Sequence, residues 1–472
     1  MKRASIGTWL NYATSLGFQV IFASRYGTSH AATAFVIVFS LAISMSGLLI
    51  STLQSVAVPR LLAPDGALHS RTLRFLGLIT ALAGLLSLCT ALLSGPSAGV
   101  LTMLGSIDQA QASALIRWGA AVLFSQFLAG ELAAVSIAIG DRLIPTLAPA
   151  IPSIVAASVL LIQPTAGVVT AIEWIALGSA LEVIVLAALL GRRIRFGTAM
   201  TPPLTSPALI MLGSYVLLAL ITPLERVMAA THGARDAAEY DYAIRSLRGV
   251  ELLLLGGLVL ASLGDWSSLA SRLRHSQLAD SLLRRAVLGG ILLVLAASIA
   301  VVAGHSLVEV AYQRGNFTAR DTADVTTTLL LGLPGFVAEG IGLIVSPALA
   351  GTKHNAELAA IGTTNFVLRL ILLAILAPSL GAPGVAIGYS LSQAVLTPAL
   401  VVAAAKHSLW PRARFRAVLA GSLVAAGTFI SALALSIFAR PAPALVSGAL
   451  VTAVCVALFL ALRPVPSVRL LA

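Results

Sequence analysis

Charge is what this 472-residue chain has least of. Only 10% of its residues are Asp, Glu, Lys or Arg, against about 25% in soluble globular domains. With 58% apolar residues and a mean hydropathy of +0.98, an ordinary soluble domain and a disordered chain are both excluded. Cysteine is nearly absent. Cys89 and Cys455 lie inside apolar runs and no CxxC occurs, so neither a disulfide framework nor a cysteine metal site is implied, and both read as small apolar residues of the interior. The seven histidines fall in or near loops with no clustering in sequence. No GxxxxGK[ST], HExxH or nucleophile elbow is present, so nothing points to an enzyme, a cofactor or a metal. Lysine is scarce as well, with 27 of the 30 basic residues being Arg. The Arg-over-Lys and Ala-rich usage fits a high-GC bacterial genome.

What remains is an all-α integral membrane protein. Fourteen apolar segments are long enough to cross about 30 Å of hydrocarbon as helices: 5–24, 31–58, 74–94, 115–139, 143–163, 166–191, 207–230, 239–264, 282–303, 324–351, 357–378, 383–405, 413–436 and 441–462. The stretch 95–114 reads as an extracellular interfacial helix. Strands are not expected, because the runs are continuously apolar rather than alternating. The first segment follows Lys2 and Arg3, yet Asn11, Tyr12, Thr14, Ser15 and Gln19 interrupt any clean signal-peptide core. The net charge of +12 belongs to loop cations that set topology and meet anionic lipid headgroups, with no nucleic-acid partner. With the N-terminus in the cytoplasm, twenty cations fall on the inner side. Seven fall outside (Arg25, Arg117, Arg226, Arg235, Arg314, Arg320 and Arg440) and three sit within spans (Arg245, Arg248 and Arg369). The bias supports both termini cytoplasmic in a bacterial cytoplasmic membrane, and no feature demands an oligomer, so a monomer is expected.

The chain resembles itself at an offset near 206–211. Gly27-x-x-x-Ala31-Ala32 is answered by Gly233-x-x-x-Ala237-Ala238, and Ile139-Gly140-Asp141 by Ala350-Gly351-Thr352. An even offset of six spans gives a parallel repeat, a transporter signature. The expected organisation is an N-lobe at 1–196, a C-lobe at 197–408 and a C-terminal helix pair at 409–472.

The residues that carry chemistry are charges inside the membrane, which cost about 2.5–3.5 kcal/mol each on insertion scales unless partnered or hydrated. Asp241, Arg245 and Arg248 are spaced i, i+4, i+7 and share one helix face, flanked by Glu251. If the helix starts near Glu239, Arg245 lies about 9 Å in and Glu251 about 18 Å in. Two readings follow: Arg forks for an anionic, phosphate-bearing substrate, or an ion-pair ladder neutralised by Asp241 and Glu251. Glu131 and Glu339, at comparable places in the two halves, and Arg369, four residues after Asn365, are candidates for ion coupling; Glu173 and Glu182 are further intramembrane acids. Glu225 and Arg226 read as interfacial.

At Tyr312-Gln313-Arg314-Gly315-Asn316-Phe317-Thr318 the chain resembles the lipid II flippase (MurJ/MviN) family of the multidrug/oligosaccharidyl-lipid/polysaccharide exporter superfamily, whose members show an E/Q-R-G-x-F-T stretch. The resemblance continues through Gly332-Leu333-Pro334-Gly335-Phe336, Asn365 and Leu380-Gly381-Ala382-Pro383-Gly384. Asp241-Tyr242-Ala243-Ile244-Arg245 is similar to the family's Y-Y-A-x-R pattern, and Gly27 to Phe35 to G-x-x-x-A-x-D-A-F, with Thr33 in place of Asp. The resemblance implies fourteen spans and translocation of a polyprenyl-pyrophosphate-linked saccharide. It implies a pyrophosphate contact at Arg245, with Arg248 beside it and Arg25 near the outer face, and a lipid-tail groove at spans 13 and 14. Family arginines of spans 1 and 2 have no counterpart here. Two alternatives stand beside this reading: a cation-coupled small-molecule exporter of the same superfamily, and a non-transporting scaffold of an envelope-synthesis complex.

Overall fold

The computed structural model describes residues 2–52, 68–105, 107–139, 143–191, 196–197, 206–271, 275–352 and 354–409. The spans expected at 413–436 and 441–462, with Cys455 and the end of span 2, lie outside the described residues. In hydrocarbon every backbone polar group must find its partner within the chain, and these apolar runs resolve accordingly into helices: α1 (Lys2–Tyr26), α2 (His30–Thr52), α3 (Ser70–Leu92), α4 (Ser94–Gly105), α5 (Gln109–Ala138), the single turn α6 (Ile144–Leu147), α7 (Ala150–Ile162), α8 (Val168–Gly191), α9 (Ser206–His232), α10 (Asp236–Ser271), α11 (His275–Tyr312), α12 (Ala319–Gly351) and α13 (Asn355–Lys406). A two-residue parallel bridge joins β1 (Leu68–His69) to β2 (Phe196–Gly197).

By length and apolarity six of these helices can cross a membrane, and a seventh crossing is made if α3 and α4, bent by 69° between Leu92 and Ser94, count as one. The stretch expected to lie at the interface is therefore partly this bent extension, α4, and partly the start of α5, which Asp108 caps by accepting from the Gln111 amide at 2.8 Å. Spans 11 and 12 are the two arms of α13. They fold back on each other at Gly381 (φ 61, ψ −136), a backbone conformation glycine takes readily. A side chain there would also meet Asp236 Oδ2 at 2.5 Å and His232 Nδ1 at 2.7 Å.

α1 packs on α7 and α10, α2 on α5 and α9, and α5 on α8. Farther along, α12 is surrounded by α10, α11 and α13, and α9 packs along α13. α2 and α10 begin 206 residues apart (30 and 236), and α5 and α12 begin 210 apart (109 and 319), so the sequence offset reappears as a spacing of elements. Large apolar residues such as Leu85, Ile184, Val302 and Ile375 face outward, as the sides of a bundle meant for lipid must. Cys89, expected inside, is exposed on α3 among them. An apolar thiol loses nothing by facing acyl chains.

Candidate functional site

The charged face of α10 is the centre of the ion network. Asp241 is buried, and both its oxygens are held: Arg226 of α9 donates through Nε and Nη2 to Oδ1 at 2.8 and 2.7 Å, and Arg245 Nε meets Oδ2 at 2.7 Å. Arg226 also donates to the Thr222 carbonyl at 2.7 Å. Beside it Glu225, fully buried, pairs with Arg369 of α13. The Arg369 guanidinium lies 4.7 Å from the centre of the Tyr389 ring, and Tyr389 donates its hydroxyl to Glu339 Oε2 at 2.5 Å. Glu339 Oε1 in turn lies 3.8 Å from Arg248 Nη2. The run from Arg245 to Arg248 thus passes through α9, α10, α12 and both arms of α13.

Two regions differ in exposure. Arg226 and Arg369 are 2% and 3% exposed, as expected of charges that must be paired to be tolerated. Arg245, Arg248 and Glu339 are 26%, 28% and 24% exposed. Arg245 also reaches across to α2, its guanidinium 4.9 Å from the centre of the Phe39 ring. These two arginines therefore combine a fixed side with a face still open to a further anion.

The sequence-expected residues sort accordingly. Asp241, Arg245, Arg248, Glu339 and Arg369 come together. Glu251 is buried within electrostatic reach of Arg248 and Glu339, and its Oε1 has no hydrogen-bond partner among the described residues; the Asp241 half of the expected ladder is made, while Arg248 turns to Glu339 instead. Arg25 does not join them: at the end of α1 it donates to the carbonyls of Pro164 and Leu160. Glu131 is apart on α5, accepting from Thr80 at 2.5 Å. Glu225 and Arg226 correct the interfacial expectation, since α9 runs on to His232 and keeps both buried. A charged doublet late in an apolar run resembles a span end. The signal against that reading was the complementary pair, Asp241 and Arg369, on neighbouring spans.

The Gln313–Thr318 motif builds a second structure, at one end of the bundle. Gly315 (φ 61) lies against the Ser24 carbonyl, where a side chain would collide. The Asn316 amide donates to that carbonyl at 2.8 Å, and its side chain donates to the Arg25 carbonyl at 2.5 Å. Thr28 donates to Asp321 Oδ1 at 2.5 Å, Arg235 donates to Thr28 and pairs with Asp321, and Tyr242 donates to the Gly27 carbonyl at 2.8 Å. Thr318 and Asp321 form a capping box on α12. Below this layer the rings of Tyr242, Tyr312 and Phe317 pack with centroids 5.5–5.6 Å apart. The turn between α1 and α2 is thereby locked to the α11–α12 turn at this end of the bundle.

No family model and no curated protein matches the sequence. Solved structures do match. A structure titled lipid II flippase MurJ, inward closed conformation, superposes with a TM-score of 0.72 over 98% of both chains at 16% identity. The chain has the fold of the lipid II flippases. An inward-facing multidrug resistance MATE family transporter of the MOP superfamily matches with a TM-score of 0.64 at 14% identity, covering 85% of this chain and 94% of that one. A MOP superfamily transporter from Pyrococcus furiosus Vc1 (DSM3638) matches with a TM-score of 0.54 at 14% identity, over 86% and 94%. The flippase fold is the one of these three that this chain spans almost end to end. Within it, the ion network and the joined turns are built from this chain's own residues.

Proposed function

We propose that this protein is a transporter that flips a polyprenyl-pyrophosphate-linked saccharide, lipid II or a related envelope precursor, across the bacterial cytoplasmic membrane by alternating access. The observation that carries the reading is the pair Arg245 and Arg248, held by Asp241 and Glu339 yet more than a quarter exposed inside the bundle. A pyrophosphate is too costly to carry through hydrocarbon bare. Two guanidinium forks can take its oxygens bidentately, with Glu339 yielding its place on Arg248. Residues 1–196 and 197–408 would act as two lobes rocking about the repeat axis, with 409–472 as a helix pair beside them. The end joined by Thr28, Arg235 and Asp321 would be the outer one and both termini would be cytoplasmic. Glu339, sharing Arg248 with Glu251, is the coupling candidate of the C-terminal half; Glu131 is its counterpart.

Fluorescent lipid II translocation in proteoliposomes tests the reading. The native chain is expected to move the lipid, and Arg245→Ala and Arg248→Ala to lose at least about tenfold in rate, a loss of about 1.4 kcal/mol in barrier terms, with unchanged melting. If the native chain moves only an undecaprenyl-linked glycan, the substrate changes and the mechanism stands. If it moves neither, flipping is refuted and the exporter and scaffold readings remain. A specific observation favours the small-molecule exporter as second reading: Glu131 and Glu182 are buried in α5 and α8, and their hydrogen bonds come from neutral Thr80 and Gln126. Cation-driven dye export abolished by Glu131→Gln would select it.

A further inference from the structure

The two ends of α13 come together at the end of the bundle opposite Gly381. His407 Nε2 lies 2.5 Å from Glu357 Oε2, and the rings of His354 and His407 stack with centroids 3.4 Å apart and planes 18° from parallel. One ligand-capable atom from each of His354, Glu357 and His407 falls within 4.8 Å of the others, and all three side chains are half-buried. We propose that His354, Glu357 and His407 form a binding site for a divalent transition-metal ion of the zinc class, which clasps the base of the α13 hairpin.

Two imidazoles and a carboxylate are a complete protein donor set for zinc with one position left for water. On a tetrahedral ion with bonds of about 2.0–2.2 Å, donors sit roughly 3.3–3.6 Å apart; the three ligand atoms already lie within 4.8 Å of one another, and the 2.5 Å hydrogen bond between His407 and Glu357 has to open by about 1 Å to admit the ion. The backbone has already been fixed for this. The His354 amide donates to the Leu349 carbonyl at 3.1 Å, and His354 opens α13 as its N-cap without a side-chain capping bond. His407 closes α13, followed by Ser408 at φ 59 and a return bond from the Leu409 amide to the Ala404 carbonyl at 2.8 Å. Only side-chain torsions remain: the stacked rings splay until both lone pairs meet one point. Lys406 Nζ, 3.3 Å from Glu357 Oε1, is the internal cation that competes for the carboxylate. The site is independent of which substrate the transporter carries.

The test uses the full chain in detergent micelles, carrying a histidine-free tag and stripped of metal. Zn2+ is titrated against a chromogenic chelator, and Co2+ binding is followed by visible absorption. The native chain is expected to bind one equivalent of Zn2+. Co2+ is expected to give the intense bands of a tetrahedral site, erased by excess Zn2+. His354→Asn, His407→Asn and Glu357→Gln are each expected to weaken Zn2+ at least tenfold, Lys406→Ala to tighten it, and His232→Ala to leave it unchanged. Absence of stoichiometric binding by the native chain, or binding that survives all three ligand substitutions, overturns the proposal.

Discussion

Arg369 and Glu225 are paired in the interior, and removing Arg369 leaves the fully buried Glu225 with only the longer approach of Arg226, whose Nη1 lies 3.8 Å from Oε2. Breaking a buried pair by deleting one partner costs about 3–5 kcal/mol, whereas replacing both with apolar groups of like volume is often close to neutral. Arg369→Ala is therefore expected to lower the melting midpoint in detergent markedly, and Arg369→Met combined with Glu225→Met to restore much of it. An equal loss in single and double variants would contradict the pairing. At this scale the sequence was half legible. The i, i+4, i+7 face of α10 announced Asp241, Arg245 and Arg248, because helical periodicity puts them together without knowledge of neighbours. Glu225, Arg226 and Tyr389 were not legible, because their meaning lies in contacts between helices far apart in sequence. The same holds for the histidines: His354 and His407 are solitary in sequence and stacked in space only because α13 doubles back.

Helices were the most legible level, since twenty apolar residues with no polar alternation have few other solutions in lipid. What periodicity could not convey were the breaks: the 69° bend at Leu92–Ser94 and the reversal at Gly381, both inside runs that read as ordinary hydrophobic segments. These breaks are testable. Gly381→Ala forces a Cβ against Asp236 and His232 and into a sparsely populated backbone region, where a non-glycine residue costs about 1–3 kcal/mol. It is expected to lower the melting midpoint, and Gly388→Ala, where the nearest outside atom would be 3.5 Å away, is expected to be much milder. The reverse order would mean that Gly381 does not hold the hairpin.

For the molecule as a whole, the order of the elements and the offset of the repeat were readable, and the conformation was not. A few polar contacts between turns join the helices at one end. Thr28, Arg235 and Asp321 bind the turn after α1 to the N-terminal ends of α10 and α12, so Asp321→Asn is expected to loosen that end. The readout is maleimide labelling of Ser246→Cys, placed beneath Tyr242 and Tyr312, in a background free of Cys89 and Cys455. Labelling from the far side should accelerate several-fold in Asp321→Asn and stay slow without it. Unchanged labelling would show that other contacts hold that end together.

The charges gathered around α10 have an electrical consequence. Four arginines (226, 245, 248 and 369) stand with four carboxylates (225, 241, 251 and 339), so with every group ionised the assembly carries no net charge. An elementary charge crossing the full membrane potential exchanges about 2.3 kcal/mol per 100 mV, but a neutral assembly carried through the field exchanges almost none. In the proposed flipping cycle, reorientation of this network without cargo would be nearly blind to voltage as long as all eight groups stay ionised, and protonation of one carboxylate would give it a unit positive charge that the field acts on.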